Sequence, residues 1–290
     1  MASADSSHYR GVFRRSNIPS CTISVQDLRR LYADLSEKAG DALEKHIASV
    51  QKPESTNDED WEALKERVRE IGRLTAIVIG ENGEQNVGQS ATPLEEDQLP
   101  DRIVSVTFDS YSALQRENIT PLNRFRLALD FTEPPAFGVY NPWDVPTPNG
   151  SSLEVTGADS TWATGVYESV LGFFRARARR RGWLHSPITF NLLNWLVGMP
   201  AALWIVYRLD AVASQFFSSI DAVLRGAIYV YIVLVVLLVF RLVIGGFRWT
   251  FPVVELQGAR SSAVRRSLNV ALSSLVLALG YDVIRTLVWR

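Results

Sequence analysis

An uninterrupted apolar run in the C-terminal third constrains this chain more than any other feature. The thirteen residues from Ile228 to Phe240 are all aliphatic or aromatic, and the surrounding stretch 226–247 has Arg241 as its sole charge. As a helix this stretch measures about 33 Å, close to the roughly 30 Å hydrocarbon core of a bilayer. It leaves no polar face for water, which is atypical of a core helix in a globular protein. The run therefore predicts a transmembrane helix.

A second apolar stretch precedes the first and completes a predicted pair of spans. Residues 190–207 contain no charge and measure about 27 Å as a helix. Asn191, Asn194 and Pro200 weaken this stretch as a lone span. We predict a helical transmembrane hairpin over 187–248, with its spans at about 190–208 and 226–247.

Small residues lie in both stretches and would allow helices to approach closely. Close packing of small residues is a main route to helix association in lipid, so we expect self-association through the spans. These residues are Gly198, Ala201, Ala202, Gly245 and Gly246.

Arginines surround the two stretches unevenly. In the connection between them, Arg208 and Arg225 are balanced by Asp210 and Asp221. Cytoplasmic flanks of membrane spans carry the excess of Lys and Arg, so both ends are predicted to lie in the cytosol. Arg241 is close enough to Arg248 to snorkel toward the same interface. The flanking arginines are Arg175, Arg177, Arg179, Arg180 and Arg181 before the first stretch, and Arg248, Arg260, Arg265 and Arg266 after the second.

The arginine run at 175–181 also resembles a nucleic-acid patch in composition. However, the whole chain has a formal net charge of −1 and contains no recognisable base-reading module. Directly before a span, the run is better explained as a topology determinant that also holds anionic lipid headgroups. We expect the lipid bilayer as a partner, and no nucleic acid.

Residues 21–183 carry the periodicities of a soluble α+β domain. Apolar residues recur at helical spacing over about 25–50, and strand patterns follow between 74 and 156. The clearest strand pattern is at 123–131, where Phe125, Leu127, Leu129 and Phe131 alternate with Arg124, Arg126 and Asp130. We predict an antiparallel sheet of four to six strands with two to three helices, followed by the transmembrane hairpin. Residues 1–20 are expected to form a flexible arm.

Two predicted helix starts carry capping patterns. Ser24 with Asp27 precedes the helix at 25–50, and Thr56 with Glu59 precedes a second helix. In such a capping box the side chain of each residue accepts a hydrogen bond from the backbone of the other.

Two segments leave alternatives open. The proline-rich loop at 132–150 contains Phe137, Tyr140 and Trp143, which either contact a partner or ligand or pin the loop onto the domain. Residues 249–290 are expected to be a cytosolic or interfacial segment. A helix on the membrane face or against the soluble domain is favoured there over a third span at 267–284.

The sequence offers no signature of catalysis, metal binding or cofactor binding. Cys21 is the only cysteine, and none of the three histidines has a second ligand at metal-binding spacing. Nucleotide-binding and hydrolase motifs are also absent from the sequence. We therefore expect a non-enzymatic protein without a cofactor.

Two functional hypotheses lead from these observations. The first is a membrane-anchored regulatory or binding protein of a bacterial plasma membrane, whose cytosolic domain meets an unidentified protein or small molecule. A truncation at residue 187 should then leave a soluble domain that still binds. The alternative is a membrane effector, of the kind that acts in bacterial anti-phage defence, whose soluble domain senses a signal and whose spans oligomerise to open or disrupt the membrane. An enzyme built on scattered carboxylates is a third and weaker hypothesis.

Overall fold

The computed structural model describes residues 11–132, 149–217 and 220–257, and the single positions 267, 270, 271, 274 and 285. The chain divides into two compact units. The sheet unit contains the described residues of Met1–Thr132, Asn149–Arg179 and Val253–Ala259. The helical unit contains Arg180–Pro252 and the described positions after residue 260.

The sheet unit is built on a six-stranded sheet in which all neighbouring strands are antiparallel. The predicted antiparallel sheet is therefore confirmed at the upper end of its range. Gly83, in the turn between the strands that end at Gly80 and begin at Gln85, has a φ of 84°, a left-handed conformation that favours glycine. In spatial order the strands are β1 (Val12–Asn17), β7 (Ser152–Gly157), β6 (Asn123–Asp130), β5 (Ile103–Asp109), β3 (Thr75–Gly80) and β4 (Gln85–Gly88).

The prediction of a flexible arm over residues 1–20 is wrong where the structure describes that segment. Strand β1 pairs with β7 in a continuous register and forms one edge of the sheet. Adjacent charges obscured the strand pattern, because an edge strand tolerates arginine on both faces. Arg14, for example, stacks its guanidinium 5.3 Å from the ring centroid of Tyr167. Residues 1–10 lie outside the described part of the chain.

Four described helices belong to the sheet unit, one more than the predicted maximum. Helix α1 (Val25–Ser49) packs on β6, and α4 (Ser160–Arg175) packs on β7 and β1. Helix α2 (Asp58–Ile71) packs on α1, and the additional helix α3 (Ser112–Arg116) is only five residues long. The helices anchored on the sheet cover one of its faces, as is typical of α+β domains.

The two capping predictions have different outcomes. The Ser24 side chain accepts from the Asp27 N–H, and the Asp27 side chain accepts from the Ser24 N–H, so the first box is confirmed. The second is wrong, because Asn57 is the N-cap of α2 and accepts from the Asp60 N–H at 2.6 Å. Asn caps helices as well as Ser or Thr, and it lies one position later than the predicted cap.

The core lies between the sheet and helices α1 and α4. On β6 the buried residues Phe125, Leu127 and Leu129 alternate with the half-buried Arg124 and the exposed Arg126, as the period of two predicted. On α1, the buried residues at helical spacing include Leu28, Leu31 and Leu35.

A second, two-stranded sheet was not predicted in this form. Strand β2 (Cys21–Ile23) pairs in parallel with β8 (Val254–Leu256). Thus the expected domain at 21–183 is incomplete, because the sheet unit also includes β1 and residues 253–257. The expected segment at 249–290 therefore includes residues 253–257, which belong to the sheet unit.

The helical unit contains two helices that are long and apolar enough to cross a membrane, at Ile188–Asp210 and Ala222–Trp249. The first combines α5 (Pro187–Leu193), a π-helical turn (Asn194–Gly198) and most of α6 (Met199–Phe217). The second lies in α7 (Ala222–Thr250). In the most apolar 18-residue stretch of each helix, only 17% of the residues of the first helix and 6% of those of the second are buried. Helices in the core of a soluble protein are mostly buried, so these values favour a lipid-facing role.

Most of the proposed third span at 267–284 lies outside the described residues. The described positions 267, 270, 271 and 274 are helical. They fit either alternative for this segment, a helix at the membrane face or a third span.

Candidate functional site

Strand β2 is held from both sides by the residues that lead into and out of the apolar helices. On one side Cys21 forms an antiparallel bridge with Ala178, and the Arg179 N–H donates to the Ser20 carbonyl at 2.9 Å. On the other side β2 pairs with β8. The segment between Ala178 and β8 contains both apolar helices, so its two ends meet at one strand.

The pairing of β2 with β8 is buried and regular. The Cys21 N–H donates to the Val253 carbonyl at 3.0 Å, and the Gln257 N–H donates to the Ile23 carbonyl at 2.7 Å. Cys21, Ile23 and Val254 are at most 1% exposed and belong to the same hydrophobic core as the main sheet. Residues after the second apolar helix are thus an integral part of the sheet unit.

Arg177 connects the entry segment to the start of helix α1. Its Nε and Nη2 donate to Oδ1 of Asp27 at 3.1 and 2.8 Å, and its guanidinium lies 3.7 Å from the ring centroid of Phe173. Burial raises the pKa of the Asp27 carboxyl, but hydrogen bonds from the Ser24 N–H and from Arg177 outweigh this effect and hold the pKa below its usual value. The ion pair therefore reinforces the capping box that begins immediately after β2.

Arg179 forms a second ion pair, across the two ends of the segment. Its Nη1 lies 2.5 Å from Oε2 of Glu255 on β8, and both side chains are about one-third exposed. This contact joins the last residue before the helical unit directly to β8. It adds charge-assisted specificity to the pairing of backbone groups around β2.

The thiol of Cys21 has no sign of nucleophilic activation. Burial raises its pKa to about 12, although Arg179 and Arg177 lower it. Reactive cysteines have lowered pKa values and are accessible, so Cys21 is a packing residue.

The helical unit has its own contact cluster, where the first apolar helix begins and the second one ends. The Arg248 Nε donates to the Leu184 carbonyl at 3.0 Å, and its Nη2 lies 3.5 Å from the Ser186 carbonyl. Arg248 and Arg241 both lie over the ring of Phe190, at 4.7 and 5.3 Å from its centroid. We call these three residues the arginine–phenylalanine cluster.

The two apolar helices pack antiparallel along their length. Gly198 faces Phe240 so closely that a Cβ on the glycine would lie 2.8 Å from the ring, and Ala202 is fully buried. Towards the other end, the Tyr229 hydroxyl donates to Asp210. Gly198 and Ala202, which we expected to mediate self-association, thus contribute to packing within one chain.

The structure separates the roles of the five arginines at 175–181. Arg177 pairs with Asp27 at the start of α1 and Arg179 with Glu255 on β8, whereas Arg175 forms an exposed ion pair with Glu168. Arg180 and Arg181 begin a 3₁₀ helix, and their side chains lie outside the described part. The sequence predicted all five as membrane-topology residues. It could not separate their roles, because the partners Asp27 and Glu255 are distant in sequence.

The outer face of the six-stranded sheet, opposite α1 and α4, carries paired charges together with exposed apolar residues such as Phe13 and Val87. Arg15 pairs with Glu154 at 3.3 Å, and Arg126 lies 3.8 Å from Asp109. Arg124 stacks 5.6 Å from the ring centroid of Tyr111. We propose this face as the surface that binds a soluble partner. The predicted contact residues Phe137, Tyr140 and Trp143 lie outside the described residues, so their role stays a prediction.

Within the described ranges, no group of three or more His, Cys, Asp or Glu residues is arranged to hold a metal ion.

Comparisons with known proteins add no family to this description. The chain matches no protein-family model, no curated protein and no solved structure at a significant level.

Proposed function

We propose that the protein is a membrane-anchored, non-enzymatic binding or regulatory protein whose sheet unit faces the cytosol. The observation that carries the proposal is the position of β2 between Ala178 and β8, one before and one after the two apolar helices. This arrangement makes the helices an insertion in the sheet unit rather than a tail attached to it.

The insertion supports an even number of membrane crossings between residues 180 and 252. Residues on both sides of the apolar helices fold into one sheet unit, so both sides must lie on the same face of the membrane. An even number of crossings satisfies this condition, and the insertion contains two helices of sufficient length. The arginine-rich flanks favour the cytosol as that face.

The same arrangement supports a regulatory role. Ala178 and Val254 lie on opposite sides of Cys21, roughly 10 Å apart at the usual strand spacing. A change in the separation of the two spans would act on these residues and on β2 between them. Strand β2 continues into the Ser24–Asp27 cap of α1, which packs on the sheet. Binding at the sheet unit and the arrangement of the spans are therefore proposed to influence each other.

Labelling of single cysteines tests the anchoring and its orientation. In a Cys21→Ala background, Asn17→Cys marks the sheet unit and Ile220→Cys marks the connection between the helices. In intact cells, a membrane-impermeant maleimide should label position 220, and it should label position 17 only after permeabilisation. Labelling of both positions from the same side, or recovery of the full chain in the soluble fraction without detergent, contradicts the proposal.

A test of the binding role requires a soluble variant of the sheet unit, and this variant must retain β8. Truncation at residue 187 would remove β8 and expose the edge of β2. Replacing residues 180–252 by eight Gly/Ser residues retains β8, since such a linker spans about 15 Å on average. A partner bound by this variant should be lost with Arg124→Glu and Arg126→Glu but kept with the control Glu59→Lys on α2. Equal loss with the control refutes the outer face as the binding surface.

A membrane effector is the second candidate function. The observation that favours it is the exposed apolar surface of α7. Only 6% of the most apolar 18-residue stretch of this helix is buried. Such a surface is available for association with further copies in the membrane. Signal-dependent dye release from liposomes containing the full chain would support this function. A monomeric protein that never alters membrane permeability would exclude it.

A further inference from the structure

An apolar groove lies on the helical unit, beside the arginine–phenylalanine cluster. Its volume is about 430 Å³, within the range of roughly 300–1,000 Å³ found for small-molecule sites. Both apolar helices contribute to it, together with the 3₁₀ turn before the first. The lining residues are Trp183, Leu184, Leu193, Val197, Phe240, Val243, Ile244, Phe247 and Phe251.

Two arginines flank this groove. On α7, Arg241 lies three residues before the lining residue Ile244 and Arg248 lies four residues after it, so all three share one side of the helix. Both guanidinium groups lie within 5.3 Å of the centroid of Phe190. Phe190 is three residues before the lining residue Leu193, so the ring that holds the arginines adjoins the groove.

The charge around the groove is positive. Residues 180–209 and 222–252 contain no Asp or Glu, and the two acidic residues between them, Asp210 and Asp221, lie at the other end of the helices. An apolar groove beside concentrated arginine charge is complementary to a molecule with an apolar chain and an anionic head. Basic pockets between membrane helices bind phospholipid headgroups in this way.

We propose that the groove binds one anionic phospholipid, with an acyl chain along the groove and the phosphate beside Arg241. Arg248, which is only 8% exposed, adds its positive charge nearby. This inference depends on the proposed membrane anchoring. It differs from general attraction to a charged membrane surface, because it requires the groove as well as the arginines. A bound lipid would connect the start of the first span to the end of the second.

Native mass spectrometry of the full chain in detergent tests this site. The probes are phosphatidylglycerol and phosphatidylcholine with identical acyl chains, added at equal concentrations. We expect phosphatidylglycerol to be retained about tenfold more, the ratio for a charge-assisted contact worth about 1.4 kcal/mol. Arg241→Gln should reduce this preference severalfold, whereas Arg241→Lys, which keeps the charge, should retain most of it.

The groove is tested separately from the charge. Val197→Trp fills it and should abolish retained phosphatidylglycerol. The same substitution at Val230, which is 62% exposed on α7 and does not line the groove, serves as the control and should leave binding unchanged. If Val197→Trp does not fold, Leu193→Trp provides a second obstruction.

Three results would overturn the proposal. They are equal retention of both lipids, unchanged retention when the groove is filled, and equal loss with the control at Val230. Failure of the membrane anchoring itself is seen beforehand and separately, as a full chain that stays soluble without detergent.

Discussion

The pairing of Cys21 with Ala178 makes a specific cross-link possible with one substitution. Because the Arg179 N–H donates to the Ser20 carbonyl, Cys21 and Ala178 form a non-hydrogen-bonded antiparallel pair. Residues in such pairs have Cα atoms about 4.5 Å apart, inside the range of roughly 4.4–6.8 Å that a disulfide spans. Ala178→Cys should therefore form a disulfide with the native cysteine.

The expected stabilisation follows from the length of chain that the disulfide closes. Positions 21 and 178 are separated by roughly 160 residues, for which loop entropy gives an upper limit of about 5 kcal/mol. Strain and residual structure in the unfolded chain commonly reduce such values, so we expect about 2–4 kcal/mol. With a urea m-value of about 2 kcal/mol/M, the unfolding midpoint of the sheet unit should rise by about 1–2 M.

Pulse proteolysis in urea measures this midpoint on the full chain in mild detergent, with and without reductant. Because burial raises the pKa of Cys21 to about 12, the thiolate is scarce and oxidation needs a copper catalyst. Ala176→Cys, two residues earlier, is the matched control and should not cross-link. If the thiol introduced by Ala178→Cys reacts with maleimide but never cross-links, the pairing is wrong. A cross-link without a change in the unfolding midpoint would contradict the expected stabilisation by loop closure.

Three further predictions address individual contacts. Arg177→Gln should lower the free energy of unfolding, measured by urea titration, by about 1.5–3 kcal/mol. The control Arg175→Gln removes an exposed ion pair and should lower it by less than about 1 kcal/mol. Equal losses of stability in the two variants contradict a special role for Arg177. Gly198→Ala should destabilise the helical unit by about 1–3 kcal/mol through its contact with Phe240, and a thermal melt in detergent should show no such loss for the control Gly226→Ala. The stabilisation from the Asp27 carboxylate is complete above its unfolded pKa of 3.8 and is lost as pH falls through its lower folded pKa. Asp27→Asn should remove this pH-dependent loss of stability from the acid-unfolding curve. An unchanged curve would refute the role of the carboxylate.

Elements with strong local periodicity were predictable from the sequence. Helix α1 and strand β6 show their buried faces at spacings of 3.6 and two residues, and both lie where the pattern placed them. The apolar helices extend two to four residues beyond the predicted ends, at Ile188–Asp210 and Ala222–Trp249. These predictions succeeded because each depends on residues that are neighbours in sequence.

The candidate site could not be predicted in the same way. Strand β8 has three residues, follows Pro252 and pairs with a strand more than 200 positions earlier, so it has no local signal. The arginine-rich run 175–181 directly precedes the apolar helices in the sequence. It could not show that Arg177 and Arg179 bind carboxylates of the sheet unit, because register and distant pairing decide which arginine meets an acid.

The late position of β8 in the chain imposes an order on biosynthesis. Val254–Leu256 leaves the ribosome only after both apolar helices have been made, so one edge of β2 stays open during the synthesis of those helices. In the proposed membrane-anchored form, β2 and β8 would therefore pair only after the apolar helices are available for insertion. A chain in which β8 does not reach β2 presents an open strand edge, the kind of feature that promotes aggregation.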